Sequence, residues 1–518
     1  MKTPSNELFL LIKSMSPKEK TYFKAFSTNN KKNDNDYFYV TLFDILNEMK
    51  QYDDSLLQSK VKNLGLNNNL SKTKNYLTKA ILKSLTEYHS DTFVDEKIRD
   101  LIFCAEILYK KKMERMANKL LLKAEKLSLE YEKYNYLLLI LSLKSEIMLE
   151  ISDIKGLKEF MITDTKKEQV YFNNILNTLN YRNLLIEITI IDQTPEVSSA
   201  NEIKNKKLKN LFDNPLMKNS ESALTFFSKN HFYNLQYKYF LNQNKWNENS
   251  YEQLEEWVKY LEKKRETLKD FPEIYLRALG RLLGAANFLR KERETDLILK
   301  KATTFYESLN SKSINKNVKK VFSSFIINYM GGQLYFMKPE NSVEIFMKMS
   351  NQTFKNFQPN DLNIVGYMNL SLSYFLLENY REALSYVNKV VNIKSDFRKD
   401  VQAFAKMFLL IVNFEMRNFE LLPYISKSSE RWLKINKYRL KIFDKILVDF
   451  FNHKVAKIIT DEDEIIAFSD LSAQLKKNSS TDYSILQKEF DIVSWLRSKI
   501  EKSTYMDMLK NKVSKKDI

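Results

Sequence analysis

The chain has 518 residues but only 7 glycines and 8 prolines, whereas average usage of about 7% and about 5% would give roughly 36 and 26. Parallel α/β sheets, barrels, sandwiches and propellers need these residues in their many tight turns and phosphate loops, so such folds are excluded. Hydrophobic residues make up 44% of the chain, which is too much for a disordered protein. The composition predicts an all-α fold of long helices with few turns.

Charge and cysteine content bear on the surface and the compartment. The net charge of +18 is spread along the chain, which is typical of a lysine-rich solvated surface. The single cysteine, Cys104, cannot form an internal disulfide, and we expect it to be an inert core residue. The best apolar run, residues 136–143, is far shorter than the roughly 20 residues of a membrane span. These features predict a cytoplasmic protein with no membrane partner.

Capping residues locate the first helices. Ser16, Pro17 and Glu19 stand in the order of a capping box with proline at the first helical position, which predicts a helix beginning there. Gly65 stands where a helix end of the Schellman type needs it. Further helices are expected over residues 37–49, 54–64 and 71–89.

The helix expected over residues 71–89 has a basic face and an apolar face. On a helical wheel, Lys72, Asn75, Lys79 and Lys83 share one side, and apolar side chains gather on the other. With the preceding helix, this resembles a helix-turn-helix in which the three lysines would meet phosphates and the asparagine could reach a base edge. The connection between the two helices is longer than in the standard motif. The other interpretation is the solvated side of a surface hairpin.

After about residue 95 the pattern changes to pairs of long amphipathic helices. The first clear pair carries Leu101, Cys104, Ala105, Leu108, Ala117, Leu121 and Ala124. The second carries Tyr367, Leu370, Ser371, Tyr374, Ala383, Val387 and Val390. These offsets resemble those of the tetratricopeptide repeat. Degenerate pairs follow the same pattern, and the small or apolar positions that correspond to each other are Ala285, Gly332, Ser371 and Ile411.

The intervals between these corresponding positions exceed the roughly 34 residues of the family repeat, which indicates lengthened helices. The resemblance implies a right-handed α-solenoid, in which stacked pairs share a core and small residues allow close helix contact. It also implies a concave groove for peptides. The groove positions of the first pair are Arg99, Ile102, Glu106, Tyr109 and Lys110. Those of the second pair are Val365, Met368, Leu372, Phe375 and Leu376. Because the second set is apolar, either other helices of the chain cover it or it is a slot for a partner helix.

Four regions are expected along the chain. Residues 1–95 form a separate N-terminal helical module, 96–200 a first helical-repeat segment and 201–475 a second one. Residues 476–518 hold a capping helix and a tail. The capping helix is expected over 483–509, with an apolar stripe formed by Leu486, Phe490, Val493 and Leu496.

No constellation of catalytic residues is visible. His89, His231 and His453 lie far apart, which argues against a metal site. A glycine-rich phosphate loop is excluded because only Gly331 and Gly332 are adjacent, inside a helical pattern. We therefore expect no enzyme activity and no cofactor.

Two functions follow from the patterns. The leading hypothesis is a non-enzymatic scaffold or adaptor whose repeats bind a protein or peptide partner. The alternative is a DNA-binding regulator that uses the helix over residues 71–89, with the repeats as a sensor or dimerisation region.

Overall fold

The structure is a computed structural model. It describes residues 6–29, 36–63, 70–89, 94–193, 200–243, 246–309, 314–349, 361–393, 398–438, 440–477, 485–487 and 489–514. Within these ranges it contains helices and turns and no strand, which confirms the all-α expectation. None of the helices described is both long and apolar enough to cross a membrane. The chain divides into two compact units, residues 1–179 and 180–518.

The first unit holds helices α1 to α9 and the start of α10. Their bounds are α1 Glu7–Ser14, α2 Pro17–Asn29, α3 Asp36–Glu48, α4 Asp54–Asn63, α5 Leu70–His89, α6 Val94–Lys110, α7 Glu114–Glu130, α8 Tyr134–Glu150, α9 Ile154–Glu159 and α10 Thr165–Gln193. A π-helical turn, Phe160–Asp164, joins α9 to α10. The helices predicted over 37–49, 54–64 and 71–89 are confirmed to within one residue as α3, α4 and α5. Gly65 lies outside the described residues.

The predicted capping box is confirmed at the start of α2. The backbone N–H of Ser16 donates to Oε2 of Glu19 at 2.6 Å, and the N–H of Glu19 donates to Oγ of Ser16 at 3.3 Å. Both are amides that the helix itself cannot satisfy, so the box stabilises the helix end.

Helices α6 to α9 begin at evenly spaced positions, namely 94, 114, 134 and 154. Each of α6, α7 and α8 has 17 residues, about 25 Å of helix, and three residues form the turn. The second unit repeats this length, because α15 and α16 begin at 272 and 292. The pair α6 and α7 with its turns therefore takes residues 94–133, more than the roughly 34 of the family repeat. This is the physical origin of the long intervals in the sequence.

The turns between these helices share one geometry. In each, the backbone N–H of the left-handed residue bonds the carbonyl three residues earlier, and the next N–H bonds the carbonyl five residues before it, which is a Schellman motif. The left-handed residues, with φ between 52° and 62°, are Lys112, Glu132, Ser152, Arg290, Met337, Glu378, Arg417 and Lys437. None of these eight is a glycine. The helix ends therefore use the left-handed region without the residue that adopts it most easily, which accounts for the low glycine content.

We expect Glu378→Gly to raise the free energy of unfolding by about 0.5–1 kcal/mol. Glu378 has φ of 57°, a conformation that costs a non-glycine residue about 1–2 kcal/mol. Glycine removes this cost, but it also raises the conformational entropy of the unfolded chain, which cancels part of the stabilisation. Urea denaturation measures the change. Glu378→Ala is the matched control, since alanine removes the side chain but keeps the backbone cost. Equal stabilisation by both variants would contradict the backbone explanation.

The second unit continues the helix pairs. Its helices are α11 Ala200–Phe212, α12 Phe226–Gln243, α13 Glu248–Glu262, α14 Arg265–Asp270, α15 Pro272–Phe288, α16 Glu292–Ser308, α17 Lys316–Tyr335, α18 Pro339–Met349, α19 Asp361–Leu376, α20 Tyr380–Val391, α21 Lys399–Glu415, α22 Leu422–Ile435, α23 Ile442–Asp449, α24 Asp461–Lys477, α25 Ile492–Ile500 and α26 Tyr505–Ser514. Helices α15, α17 and α19 each pack against the next helix in sequence and against the first helix of the following pair. This is a repeat-like stack around a continuous core.

Small residues lie at the seams of this stack, as the pattern predicts. Ala285 and Ser371 are fully buried, and Gly332 is buried in the last turn of α17. The hydroxyl of Ser371 donates to the carbonyl of Ala383 at 2.7 Å, which joins α19 to α20. A larger side chain at these positions would separate the helices.

The C-terminal segment differs from the single helix expected over residues 483–509. Its described part is a turn followed by α25 and α26. Asp491 caps α25, since its carboxylate accepts from the N–H and the hydroxyl of Ser494 at 3.3 and 2.8 Å. Because a helix begins after Asp491 rather than continuing through it, the predicted apolar stripe is not on one helix face. Val493 is 45% exposed, while Phe490 and Leu496 are buried.

Helix α25 is held to α21 by Glu415. This carboxylate accepts from Nε1 of Trp495 at 2.5 Å and pairs with Nζ of Lys499 at 2.6 Å. Two donors from one helix thus converge on one acceptor of the other, which fixes the C-terminal segment against the last repeats.

Candidate functional site

A cleft of about 580 Å³ lies in the second unit, across α12, α15, α17 and α19. We call it the asparagine groove. Its lining consists of Tyr237, Gly280, Gly284, Asn287, Phe288, Ile327, Asn328, Gly331, Gly332, Tyr335, Val365 and Asn369. Three of its helices are the first members of successive pairs, so the groove follows the stacking direction of the repeats.

Three asparagines recur along this groove at one constant interval. Asn287, Asn328 and Asn369 belong to α15, α17 and α19. Nδ2 of Asn287 lies 3.4 Å from the carbonyl oxygen of Asn328, and Nδ2 of Asn369 donates to the carbonyl of Ile327 at 3.1 Å. Both outer amides are therefore oriented by the backbone of the central helix. The side chain of Asn328 is exposed between them.

Glycines make room for these amides. A Cβ added to Gly332 would lie 2.3 Å from Oδ1 of Asn287, and one added to Gly331 would lie 3.6 Å from Nδ2 of Asn369. Glycine inside a helix costs about 1 kcal/mol relative to alanine. Close approach of the Asn287 side chain explains the glycine at position 332.

One polar atom of the groove is unsatisfied. Oδ1 of Asn287 is buried and has no hydrogen-bond partner among the described residues. Leaving such an acceptor unpaired costs about 1–3 kcal/mol. A ligand that lets this amide turn outward and pair would recover that energy.

Aromatic side chains border the groove. Phe288 and Tyr335 are 50% and 53% exposed. The Tyr335 ring carries the guanidinium of Arg290 at 5.0 Å from its centroid, and Nε of Arg290 donates to the tyrosine oxygen at 3.2 Å. Of the described residues that line the groove, none is charged. The site therefore combines apolar contact area with neutral donors and acceptors, which suits binding better than acid or base catalysis.

The structure places the first predicted groove set along α6. Arg99 and Lys110 are exposed, while Glu106 and Tyr109 are half-buried. Nε of Arg99 donates to the carbonyl of Asp95 at 3.3 Å. Ile102 is buried. Peptide binding by these residues stays a prediction.

The second predicted set is not an open slot. Met368 is 4% exposed and Phe375 is 1% exposed, and Leu372 is half-buried. The Phe375 ring lies within 6 Å, between centroids, of the rings of Tyr380, Phe408, Phe490 and Tyr505. Other helices of the same chain thus cover this face, and Met368 and Phe375 are core residues rather than exposed contacts for a partner. Val365, a member of the same predicted set, does line an open cleft, since it borders the asparagine groove together with Asn369.

The expectation of a buried Cys104 was wrong, because this side chain is exposed. Helix α6 buries Val94, Ile98, Ile102 and Ala105, and residue 104 lies on the other side of that helix. The principal neighbours of α6 are α7 and α8. Helix α19 has more neighbouring helices than α6. Leu370, the residue of α19 that corresponds to Cys104, is buried.

Helix α5 has the two faces that the sequence predicts. Leu77 and Ile81 are fully buried, whereas Lys72, Asn75, Lys79 and Lys83 are exposed. The principal neighbours of α5 are α2 and α3 rather than α4. Lys74, one position from this face, is held by Asp54 at 3.4 Å.

A further cleft of about 860 Å³ lies among α13 to α16. Three of its polar groups pair with each other. Glu262 accepts from the hydroxyl of Tyr275 at 2.8 Å and pairs with Lys301 at 3.0 Å. Burial first, and then the bond to Glu262, raises the pKa of Tyr275. Glu262, Tyr275 and Lys301 thus already have polar partners within the cleft.

The histidines stand in separate surroundings. Burial first, and then Arg182, lowers the pKa of His231, while His453 is exposed beside Asp449. The side chain of His89 lies outside the described part of the structure. In the part of the chain that the structure describes, no group of three or more histidine, cysteine or acidic side chains is placed to hold a metal ion.

Comparisons with protein-family models, curated proteins and solved structures give no match for this chain.

Proposed function

We propose that the protein is a non-enzymatic scaffold or adaptor that binds an extended peptide segment of a partner in the asparagine groove. We infer further that its helix pairs form a right-handed solenoid of tetratricopeptide-like units. The observation that carries the proposal is the recurrence of one amide side chain, at one interval, on three successive helices of one groove.

An amide side chain suits a peptide backbone. It offers a donor and an acceptor side by side, so it pairs with the N–H and the C=O of one residue in an extended peptide, whatever that residue's side chain is. The glycines Gly280, Gly284 and Gly331 leave space for close backbone approach. Phe288 and Tyr335 add apolar contact, which supplies most of the energy in such grooves.

Selection from a library of random linear peptides, displayed on phage and presented to the full chain, tests the proposal. We expect enriched peptides to bind wild-type protein and to bind Asn328→Ala and Asn369→Ala about tenfold more weakly, which corresponds to about 1.4 kcal/mol. Fluorescence anisotropy measures the dissociation constants. Asn118→Ala, an exposed asparagine on α7, is the matched control and should bind as wild type does. Failure to enrich peptides, or equal binding by all variants, would reject the groove as the site.

A second candidate function is DNA binding by α5. It is supported by the exposure of all three predicted lysines and of Asn75 on one helix face. Phosphate contacts by Lys72 and Lys79 would make affinity fall steeply with salt. A gel mobility shift of the full chain on duplex DNA at low salt checks this function, and an unchanged shift for the double variant Lys72→Glu with Lys79→Glu would exclude the helix.

A further inference from the structure

A basic pocket of about 340 Å³ opens beside the asparagine groove, between α15 and α17. It shares Gly280 and Asn328 with the groove. Its cationic lining consists of Arg277, Arg281 and Lys320, and none of the described residues that line it is acidic.

These three cations lack the partners that other basic residues of the unit have. Lys291 and Lys301, for comparison, pair with Glu248 and Glu262 at 2.7 and 3.0 Å. Across the residues that the structure describes, no ion pair involves Arg277, Arg281 or Lys320. The pocket is thus a concentration of positive charge that no ion pair neutralises.

Arg277 shows the effect of this concentration. Its side chain is exposed to solvent, and the neighbouring protein only partly desolvates its guanidinium. That desolvation, followed by the nearby charge of Arg281, lowers the pKa of Arg277, and Glu273 one turn earlier offsets only part of the change. An anion in the pocket would remove this unfavourable interaction.

Arg281 is held in place but incompletely bonded. Its guanidinium lies 4.2 Å from the ring centroid of Tyr237. Its Nε is buried and has no hydrogen-bond partner within the described ranges. A guanidinium offers an oxyanion two parallel N–H donors, and a shift of this side chain toward an anion in the pocket would also give the buried Nε a partner. Neutral donors also line the pocket, namely the amide of Asn317 and the hydroxyl of Ser324, beside the apolar side chains Leu276, Val321 and Phe325.

We propose that this pocket binds the phosphoryl group of a phosphorylated side chain carried by the peptide in the asparagine groove. That the phosphoryl group is attached to a peptide rests on the proposed function. Two guanidinium groups and one ammonium group match a dianionic phosphoryl group better than a single carboxylate. Gly280 and Asn328 line both the pocket and the groove, so the two adjoin, and a ligand that extends past these residues would occupy both.

The first experiment uses inorganic phosphate and the full chain, and needs no peptide. We expect calorimetric titration at constant ionic strength to show saturable binding of phosphate and at least tenfold weaker binding of acetate. Arg281→Gln and Lys320→Gln should each weaken phosphate binding at least tenfold. Lys301→Gln, which removes the same charge from an ion-paired site, should leave phosphate binding unchanged.

Lys320 is exposed, so Lys320→Gln reports on binding even if Arg281→Gln disturbs folding. Equal binding of phosphate and acetate, or equal weakening by Lys301→Gln, overturns the phosphoryl site.

The second experiment tests the carrier. Peptides selected on the groove are synthesised with phosphoserine or glutamate at each position in turn. We expect phosphoserine at one position to tighten binding at least tenfold, and Arg281→Gln to abolish that gain. If peptides bind but phosphorylation gains nothing, the inference fails and the proposed function stands. If phosphate binds but no peptide does, the proposed function fails and the ligand is free phosphate rather than a modified side chain.

Discussion

Phe375→Ala should lower the free energy of unfolding by about 3–5 kcal/mol, the range typical of a phenylalanine removed from a packed core. The ring is 1% exposed and lies at the meeting point of α19, α20, α21 and the C-terminal segment. It contacts four aromatic rings edge to face, with centroids 5.2 to 5.8 Å away. Two of these rings, Phe490 and Tyr505, follow the repeats in sequence, so the cavity would loosen that segment first.

Tryptophan fluorescence during urea denaturation measures this change selectively. All four tryptophans, Trp246, Trp257, Trp432 and Trp495, belong to the unit of residues 180–518. Phe288→Ala is the control, because this ring is half exposed and its loss should cost less than about 1 kcal/mol. Hydrogen exchange should show earlier exposure of amides in α25 and α26 for Phe375→Ala alone. Equal losses for both variants would mean that Phe375 does not anchor the C-terminal helices.

Gly332→Leu should lower the free energy of unfolding by about 1–3 kcal/mol, as expected for overpacking of a filled core. The first added carbon would lie 2.3 Å from Oδ1 and 2.6 Å from Cγ of Asn287. The asparagine must leave its position before the leucine fits, and the rest of the side chain must then enter a buried seam. The same variant should therefore lose any ligand that pairs with Asn287.

The adjacent glycine supplies the comparison for this variant. A Cβ at Gly331 would lie 3.6 Å from Nδ2 of Asn369, which is ordinary van der Waals contact. Gly331→Ala should therefore leave stability unchanged or raise it by up to about 1 kcal/mol through helix propensity. Thermal denaturation followed by circular dichroism compares the two variants. A loss of stability at position 331 that matched the loss at 332 would show that crowding of Asn287 is not the cause.

Local chemistry made the helices predictable. Ser16 and Glu19 bond amides at the start of their own helix, so the capping box can be recognised from four consecutive residues without knowledge of the rest of the fold. The seam residues were predictable for a similar reason, since a small side chain that recurs within successive helices indicates close helix contact. The left-handed turn residues were not predictable, because lysine and glutamate, as at Lys112 and Glu132, do not indicate a positive φ.

Sequence patterns identified Val365, Gly331 and Gly332 of the groove but none of its three asparagines, and the cause is specific. Groove positions were transferred from a shorter repeat, which selected Met368 and Phe375 and passed over Asn369, one residue from Met368. The signal that would have found the groove is the equal spacing of Asn287, Asn328 and Asn369 in the sequence. Burial of Phe375 could not be predicted, because two of the rings that cover it, Phe490 and Tyr505, come from a distant part of the chain.

The constant joint between helices governs how this chain can change in length. From α6 to α8, each helix of 17 residues is followed by a turn of three with the same hydrogen-bond pattern. One residue inserted within a helix would turn every later position of that helix by about 100° about its axis and bring polar residues into the core. Loss or duplication of a complete helix pair, in contrast, would leave each neighbouring face directed as before. Homologous chains should therefore differ in length by whole helix pairs, with shorter insertions confined to the loops.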